Sequence, residues 1–234
     1  YHPEATLTSQ ATITTPAPAV AGASAHVGSV HVTSICPFEH DFLLNRSCGN
    51  QSLPNEQECL FHSKSIQKNS AQNLKALRDV MIEWQESTTE PIPPIVGWYF
   101  PSGLVWPKLL RIRRNLRFVA VSFDCGVDFS HTEFDGQLSF IDCGFSEGAS
   151  FNRARFHESV TLEGLTISKI ELSFQEATFQ KGAIFNRISD EPSQKGINLK
   201  RAVFLDGKAV HIIRSSISQF SLLGANPADW KLVD

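Results

Sequence analysis

The large apolar residues of this chain fall at Phe118, Phe123, Phe129, Phe134, Phe140, Phe145, Phe151, Phe156, Leu162 and Ile167, so the steps between them alternate between five and six residues. The register slips by seven to Phe174 and resumes with Phe179 and Phe185. Of the 17 Phe residues, only Phe38, Phe42, Phe61 and Phe100 lie outside the span from Phe118 to Phe220. An amphipathic helix repeats about every 3.6 residues and a half-buried strand about every two, whereas a longer fixed period marks a repeat architecture. A second track runs two positions ahead of the first: Val121, Val127, Thr132, Leu138, Cys143, Ala149, Ala154, Val160, Leu165, Leu172, Ala177 and Ala183, all small or apolar. Residues i and i−2 of extended backbone point to the same side. Each unit therefore aims one large and one small side chain inward and then turns. Gly126, Gly136, Gly144, Gly148, Gly164 and Gly182 are expected in those turns, where a residue without Cβ accepts positive φ or tight packing.

This double track resembles the pentapeptide-repeat family, in which a central Phe or Leu and a small residue two places before it recur at roughly five-residue intervals. The resemblance runs from Leu104 to Leu222: Leu104/Trp106 and Leu110/Ile112 open it, and Ile197/Leu199, Ala202/Phe204, Val210/Ile212, Ser215/Ile217 and Phe220/Leu222 extend it beyond a loop from Ser189 to Gly196. It implies a mainly β fold, a right-handed quadrilateral β-helix with four short faces per coil and roughly five coils, assigned to residues 95–234. The 11-residue double unit is similar to the Phe-rich branch of the family.

The N-terminal third reads differently. Residues 1–33 are mostly Ala, Thr, Ser, Pro, Val and His with a single charge, Glu4, a composition expected of a flexible tail or linker; within it the alternation over 25–32 reads at most as one strand. Residues 34–63 hold Cys36, Cys48 and Cys59 with His40 and His62. Cys59 and His62 stand at C-x2-H spacing, which lets both side chains reach one ion. With Cys36 and Cys48 they complete a Cys3His set suited to one structural zinc ion, with His40 in reserve. Two alternatives stay open. One is a disulfide with a spare thiol in an oxidising compartment, which the sequons Asn45-Arg46-Ser47 and Asn50-Gln51-Ser52 would fit; the other is free buried cysteines. Zinc points to a reducing, cytoplasmic location and a disulfide to a secreted one. The family resemblance adds that some bacterial pentapeptide-repeat proteins carry a similar Cys…Cys…Cys-x-Phe-His knuckle just before a helix and the repeats, although this chain has no CxxC.

Residues 64–90 are expected to form a helix and a connector. Leu74, Leu77, Val80, Met81 and Trp84 recur at three- and four-residue steps and make one apolar stripe, with Ser63, Ser65 or Asn69 as the N-cap. Packing of this stripe on the first coil would close the open end of the solenoid; a partner-binding helix is the alternative. Pro91, Pro93 and Pro94 stop it.

Charge changes the picture only modestly. A formal net charge of −3 and a pI near 6.3 argue against a broadly basic surface, so no direct nucleic-acid binding is expected. No apolar run approaches the roughly 18–20 residues of a membrane span. Lys108, Arg111, Arg113, Arg114 and Arg117 form a basic collar, followed by an acidic band of Asp124, Asp128, Glu133, Asp135, Asp142 and Glu147 in which no Lys or Arg occurs. No G-x-S-x-G, P-loop, GxGxxG or HExxH motif is present. His131, His157 and His211 read as standing alone, Asp124 and Asp142 as spaced by the scaffold, and Cys143, with Cys125 nearby, as a small inward side chain. No catalytic residue is therefore assigned. The expected function is a non-enzymatic scaffold or protein–protein interaction module with an unknown protein partner and no cofactor beyond the zinc. The runner-up comes from the family resemblance: acidic rods of some members bind DNA gyrase by mimicking duplex DNA. From Phe118 to Asp234 this chain carries 15 acids against 11 Lys plus Arg, a mild excess for such a mimic.

Overall fold

Short extended segments joined by tight corners bring the chain back over itself about once every 22 residues, with Phe118 paired to Phe140 and Phe140 to Leu162 in parallel register. The computed structural model describes residues 39–40, 46–47, 59–64, 69–86, 92–188, 196–205, 210–215, 220–225 and 230–233. The expected tail, Cys36, Cys48, Ser65 and loop residues 189–195 lie outside the described residues. In chain order the elements are an antiparallel pair β1 (Glu39–His40) and β2 (Arg46–Ser47), helix α1 (Ala71–Glu86), then β3 (Ile95–Val96), β4 (Tyr99–Phe100), β5 (Arg111–Ile112), β6 (Leu116–Val119), β7 (Ser122–Phe123), β8 (Val127–Asp128) and β9 (Glu133–Phe134).

The four strands β6 to β9 are the four sides of one coil, and each recurs in the coils that follow. They build four parallel sheets, one of seven strands, one of four and two of five. The seven-stranded sheet contains β6 and forms the long face; β7, β8 and β9 belong to the second, third and fourth faces. The result is a β-solenoid of about five turns with a quadrilateral section. It begins at Ile95, which pairs with Phe118, and extends to Val233, which pairs with Ile213.

The double track explains the section. Every Phe anchor from Phe118 to Phe185 is at most 1% exposed. Equivalent anchors stack ring on ring: Phe118 on Phe140 with centroids 4.7 Å apart, Phe123 on Phe145 at 4.7 Å, Phe151 on Phe174 at 4.6 Å, and Phe134, Phe156, Phe179 and Phe204 in one column at 5.0, 4.8 and 4.7 Å. These separations match the spacing of hydrogen-bonded strands, about 4.8 Å, so the rings and the backbone ladder share one pitch. The small track fills the space beside each ring; Thr132 does so at 0% exposure by donating its hydroxyl to the Leu109 carbonyl at 2.6 Å.

Glycine makes some of the corners, as expected: Gly148, Gly164 and Gly182 take positive φ, but other residue types make many of the rest. Ala120, Asp142 and Arg187 take positive φ after the long face, and His131, Arg153, Glu176 and Arg201 do so between the third and fourth faces. A left-handed residue other than glycine costs about 1–2 kcal/mol. Here each of these N–H groups is held by a carbonyl of the next coil, as His131 is by Asn152 at 2.9 Å and Asp142 by Glu163 at 2.8 Å. Gly144 does not sit in a turn at all but opens a strand, Gly144–Phe145. Glycine is required instead where coils touch. A Cβ on Gly136 would lie 2.2 Å from the Arg114 carbonyl carbon and 2.4 Å from the Asn115 nitrogen, both backbone atoms that cannot step aside.

Helix α1 covers the N-terminal end. Ser70 is its N-cap, its hydroxyl accepting the Asn73 N–H at 3.3 Å, rather than Ser63 or Asn69; the cap lies at the position whose oxygen meets the third helical amide. Leu77, Met81 and Trp84 are buried and Leu74 packs partly buried beside them. Trp84 meets Phe118 edge-on at 5.7 Å and tilts over Trp106 at 6.4 Å. Gln85 Oε1 accepts the Leu110 N–H of the first coil at 2.6 Å, and the Phe61 carbonyl accepts the Tyr99 N–H at 2.8 Å. Among the described residues these edge donors have no earlier coil to pair with.

Two outcomes follow from this packing. Trp84→Ala lowers the unfolding free energy by about 3–5 kcal/mol in chemical denaturation, because a large cavity opens between cap and coil. Gly136→Ala destabilises by about 2 kcal/mol or more through overpacking against backbone, while Gly144→Ala, whose Cβ would meet nothing within 4 Å, leaves the melting temperature essentially unchanged.

Candidate functional site

Stacking one coil on the next also aligns the outward side chains, and on the fourth face it brings together residues that look isolated in the sequence. Glu133 projects from β9. His157, one residue past the equivalent strand Arg155–Phe156 of the next coil, reaches back so that its Nε2 lies 2.7 Å from Glu133 Oε1 and 3.9 Å from Asp135 Oδ1. One ligand-type atom from each of Glu133, Asp135 and His157 falls within 4.8 Å of the others. From the coil below, Arg111 closes this group: its Nε and Nη2 donate to the two Asp135 oxygens at 2.9 and 3.1 Å, and Nη1 lies 3.7 Å from Glu133. Both Asp135 oxygens are thus committed to a fixed internal cation. His157 does not stand alone, contrary to the sequence expectation. Its separation from Glu133, one coil plus two residues, was legible once the coil length was used to stack residues.

The bond to Glu133 raises the His157 pKa above its usual value, with partial burial opposing the shift and Gln180, Glu133 and Asp135 adding to it. On the second face Tyr99 donates its hydroxyl to Asp124 at 2.7 Å, and Ser146 donates to the other Asp124 oxygen at 2.7 Å. Burial first, and then the bond to Asp124, pushes the Tyr99 hydroxyl up to about 12. Burial likewise pushes the Cys125 and Cys143 thiols up to about 12, which leaves them as packing groups rather than nucleophiles.

The remaining acids follow one rule. Asp142 and Glu163 both meet Arg187, at 3.0 and 3.2 Å. Glu147 pairs with Lys169, Glu158 with Lys181, and Glu176 with Arg153 and Arg201. Glu171 accepts from Asn198, and Asp128 from the Ser130 N–H. Every Asp and Glu from Asp124 to Glu176 therefore accepts a bond from a neighbour, most often one coil away. The Arg187–Asp142 pair spans two coils and passes over Gly164, where a Cβ would come 2.2 Å from Asp142 Oδ1. The acidic band is one side of an inter-coil ladder rather than a free anionic rail. Of the basic collar, Arg111 joins the ladder and Arg113 and Arg117 stay exposed.

The third face carries a groove of about 400 Å³ where the seven-residue step pushes Ile170 and Glu171 outward. Its polar walls include Glu147, Glu171, Asn152, Gln175 and Asn198, and these bond mainly to their own neighbours: Asn152 Oδ1, for example, accepts from both Ser173 and the Gln175 N–H.

Of the expected zinc ligands, Cys59 and His62 are described. They are brought together, Sγ lying 3.3 Å from Nδ1, both buried, at 1% and 4% exposure. Cys36 and Cys48 lie outside the described residues. Among the described residues no helix is long and apolar enough to cross a membrane. Neither a protein-family model, nor a curated protein, nor a solved structure matches the chain.

The His157 shift has a measurable sign. The protonated ring is favoured in the fold, so its contribution to stability is fully present below the unfolded pKa of about 6.5 and is lost as pH rises through the raised folded value. An NMR titration should place the His157 midpoint above that of a free histidine, Glu133→Gln should lower it, and His157→Gln should remove a stability increment at pH 6 that is absent at pH 9.

Proposed function

We propose that this chain is a non-enzymatic scaffold or protein–protein interaction module built on a pentapeptide-repeat β-helix. The observation that supports it most is the inter-coil ladder: the ionisable groups of the faces are bonded to one another, leaving flat, rigid, irregularly decorated surfaces rather than an assembled nucleophile and base. Flat faces of this kind suit contact with another protein, and the step from fold to function is by analogy. Mimicry of duplex DNA against an enzyme such as DNA gyrase is the weaker reading, because the carboxylates answer to internal Lys, Arg and amide groups. The same reading gives residues 34–63 one structural zinc ion held by Cys36, Cys48, Cys59 and His62, with no open coordination position. Its supports are the 3.3 Å approach of Cys59 to His62 and the β1–β2 pairing, whose Glu39–Ser47 rung falls three residues after Cys36 and one before Cys48. Thiolate ligands to zinc fit a reducing, cytoplasmic setting.

Charge reversal one face at a time tests the module. Arg117→Glu on the long face, or Arg155→Glu on the fourth, should abolish capture of a specific protein from the source when it lies on the contact face, with the melting temperature unchanged. A turnover lost reproducibly in His157→Gln or Asp124→Asn would overturn the proposal.

A further inference from the structure

Three contacts tie the Cys59–Ser63 turn to the first coil. Besides the Tyr99 N–H bond to the Phe61 carbonyl, the Phe61 ring stacks on Trp98 with centroids 4.1 Å apart and planes 19° from parallel. His62 Nε2 lies 3.1 Å from the Val96 carbonyl oxygen. The turn itself is closed by the His62 and Ser63 N–H groups, which donate to the Cys59 carbonyl at 3.2 and 3.0 Å.

The Val96 contact decides the state of the ring. A carbonyl oxygen only accepts, so the nitrogen facing it carries the proton. In the neutral ring Nδ1 then presents its lone pair to Cys59 Sγ. Zinc–sulfur and zinc–nitrogen bonds of about 2.3 and about 2.0–2.1 Å at a tetrahedral angle place the two donor atoms about 3.5 Å apart. The observed 3.3 Å is within a small adjustment of that value, and the thiol proton occupies the place a cation would take.

We propose that Cys59 and His62 chelate zinc through Sγ and Nδ1, and that the Val96 carbonyl transmits occupancy of this chelate to the first coil. The proposal rests on the zinc reading above and adds the ligating atom and the element that responds to the metal. On loading, Cys59 gives up its thiol proton and His62 its Nδ1 lone pair, so one proton is released from this pair. The ring then becomes more electron-poor, and its Nε2–H donates more strongly to Val96, as the outward N–H of a ligating histidine does. Val96 is paired with Val119 in the long face, and the Gly97 N–H donates to the Val119 carbonyl at 2.9 Å. A firmer anchor at Val96 therefore holds β3 and β4 on the second coil, and with them the Tyr99–Phe61 bond.

The full chain, stripped of metal and then reloaded with zinc, gives three independent readouts: zinc content, nitrogen-15 spectra of the His62 ring, and amide exchange. The expected result is about one equivalent of zinc, ligation by Nδ1 with Nε2 protonated, and exchange at Tyr99 slowed about tenfold or more, with Ala154 in a later coil unchanged. His62→Cys keeps four donors and should still bind zinc, but the Tyr99 response should vanish because the bridge to Val96 is gone. Uptake below about half an equivalent overturns the zinc reading and this inference with it. Full uptake through Nε2, a Tyr99 amide indifferent to zinc, or an undiminished Tyr99 response in His62→Cys overturns this inference and leaves the zinc reading standing.

Discussion

The structure depends on one geometric agreement: an aromatic ring stacked face to face repeats at the same interval as a hydrogen-bonded strand. Phe118 and Phe140 sit 4.7 Å apart, as do Phe179 and Phe204. A column of rings can therefore run the length of the coils without lifting the backbone ladder apart. Each buried ring contributes about 1.5–3 kcal/mol of transfer free energy, and the ladder satisfies the amides that this burial removes from water. Because each coil touches only its neighbours, stability accumulates from coil to coil and the ends carry the exposed groups. That is why the N-terminal end is covered by Trp84 and supplied with acceptors by Gln85 and Phe61.

The same agreement sets the surface. Side chains one coil apart are brought within bonding distance whatever their function, so pairs such as Arg153–Glu176 arise from register. Exposed pairs of this kind are screened by solvent and contribute little to stability; their larger effect is to neutralise the faces locally. Register alone therefore produces clusters that look like a site. The Glu133–Asp135–His157 group resembles a metal or acid–base site until Arg111 is seen holding both Asp135 oxygens.

The cap and the Cys59–Ser63 turn share the entrance coil. α1 packs on Trp106 and Phe118 from one side, while Phe61 and His62 dock on the β3–β4 segment. Ordering at that end therefore draws on a segment without repeats.

The sequence by itself determined the fold class, the inward residues apart from Leu110, which is 58% exposed while Leu109 is buried in its stead, the buried stripe of α1 and the contact between Cys59 and His62. Each of these follows from local spacing: the five-six alternation, the i−2 track, the three- and four-residue helical steps, the C-x2-H interval. Tertiary structure decided what depends on coil-to-coil register. The partnership of His157 with Glu133, the Arg187–Asp142 pair across Gly164 and the backbone crowding at Gly136 join residues about one or two coils apart, where no local pattern announces them. The corners made by residues other than glycine escaped the sequence reading for the same reason. Arg153 and Glu176 accept a conformation usually left to glycine because a carbonyl of the next coil holds each amide, and that partner exists only after the chain has come round again.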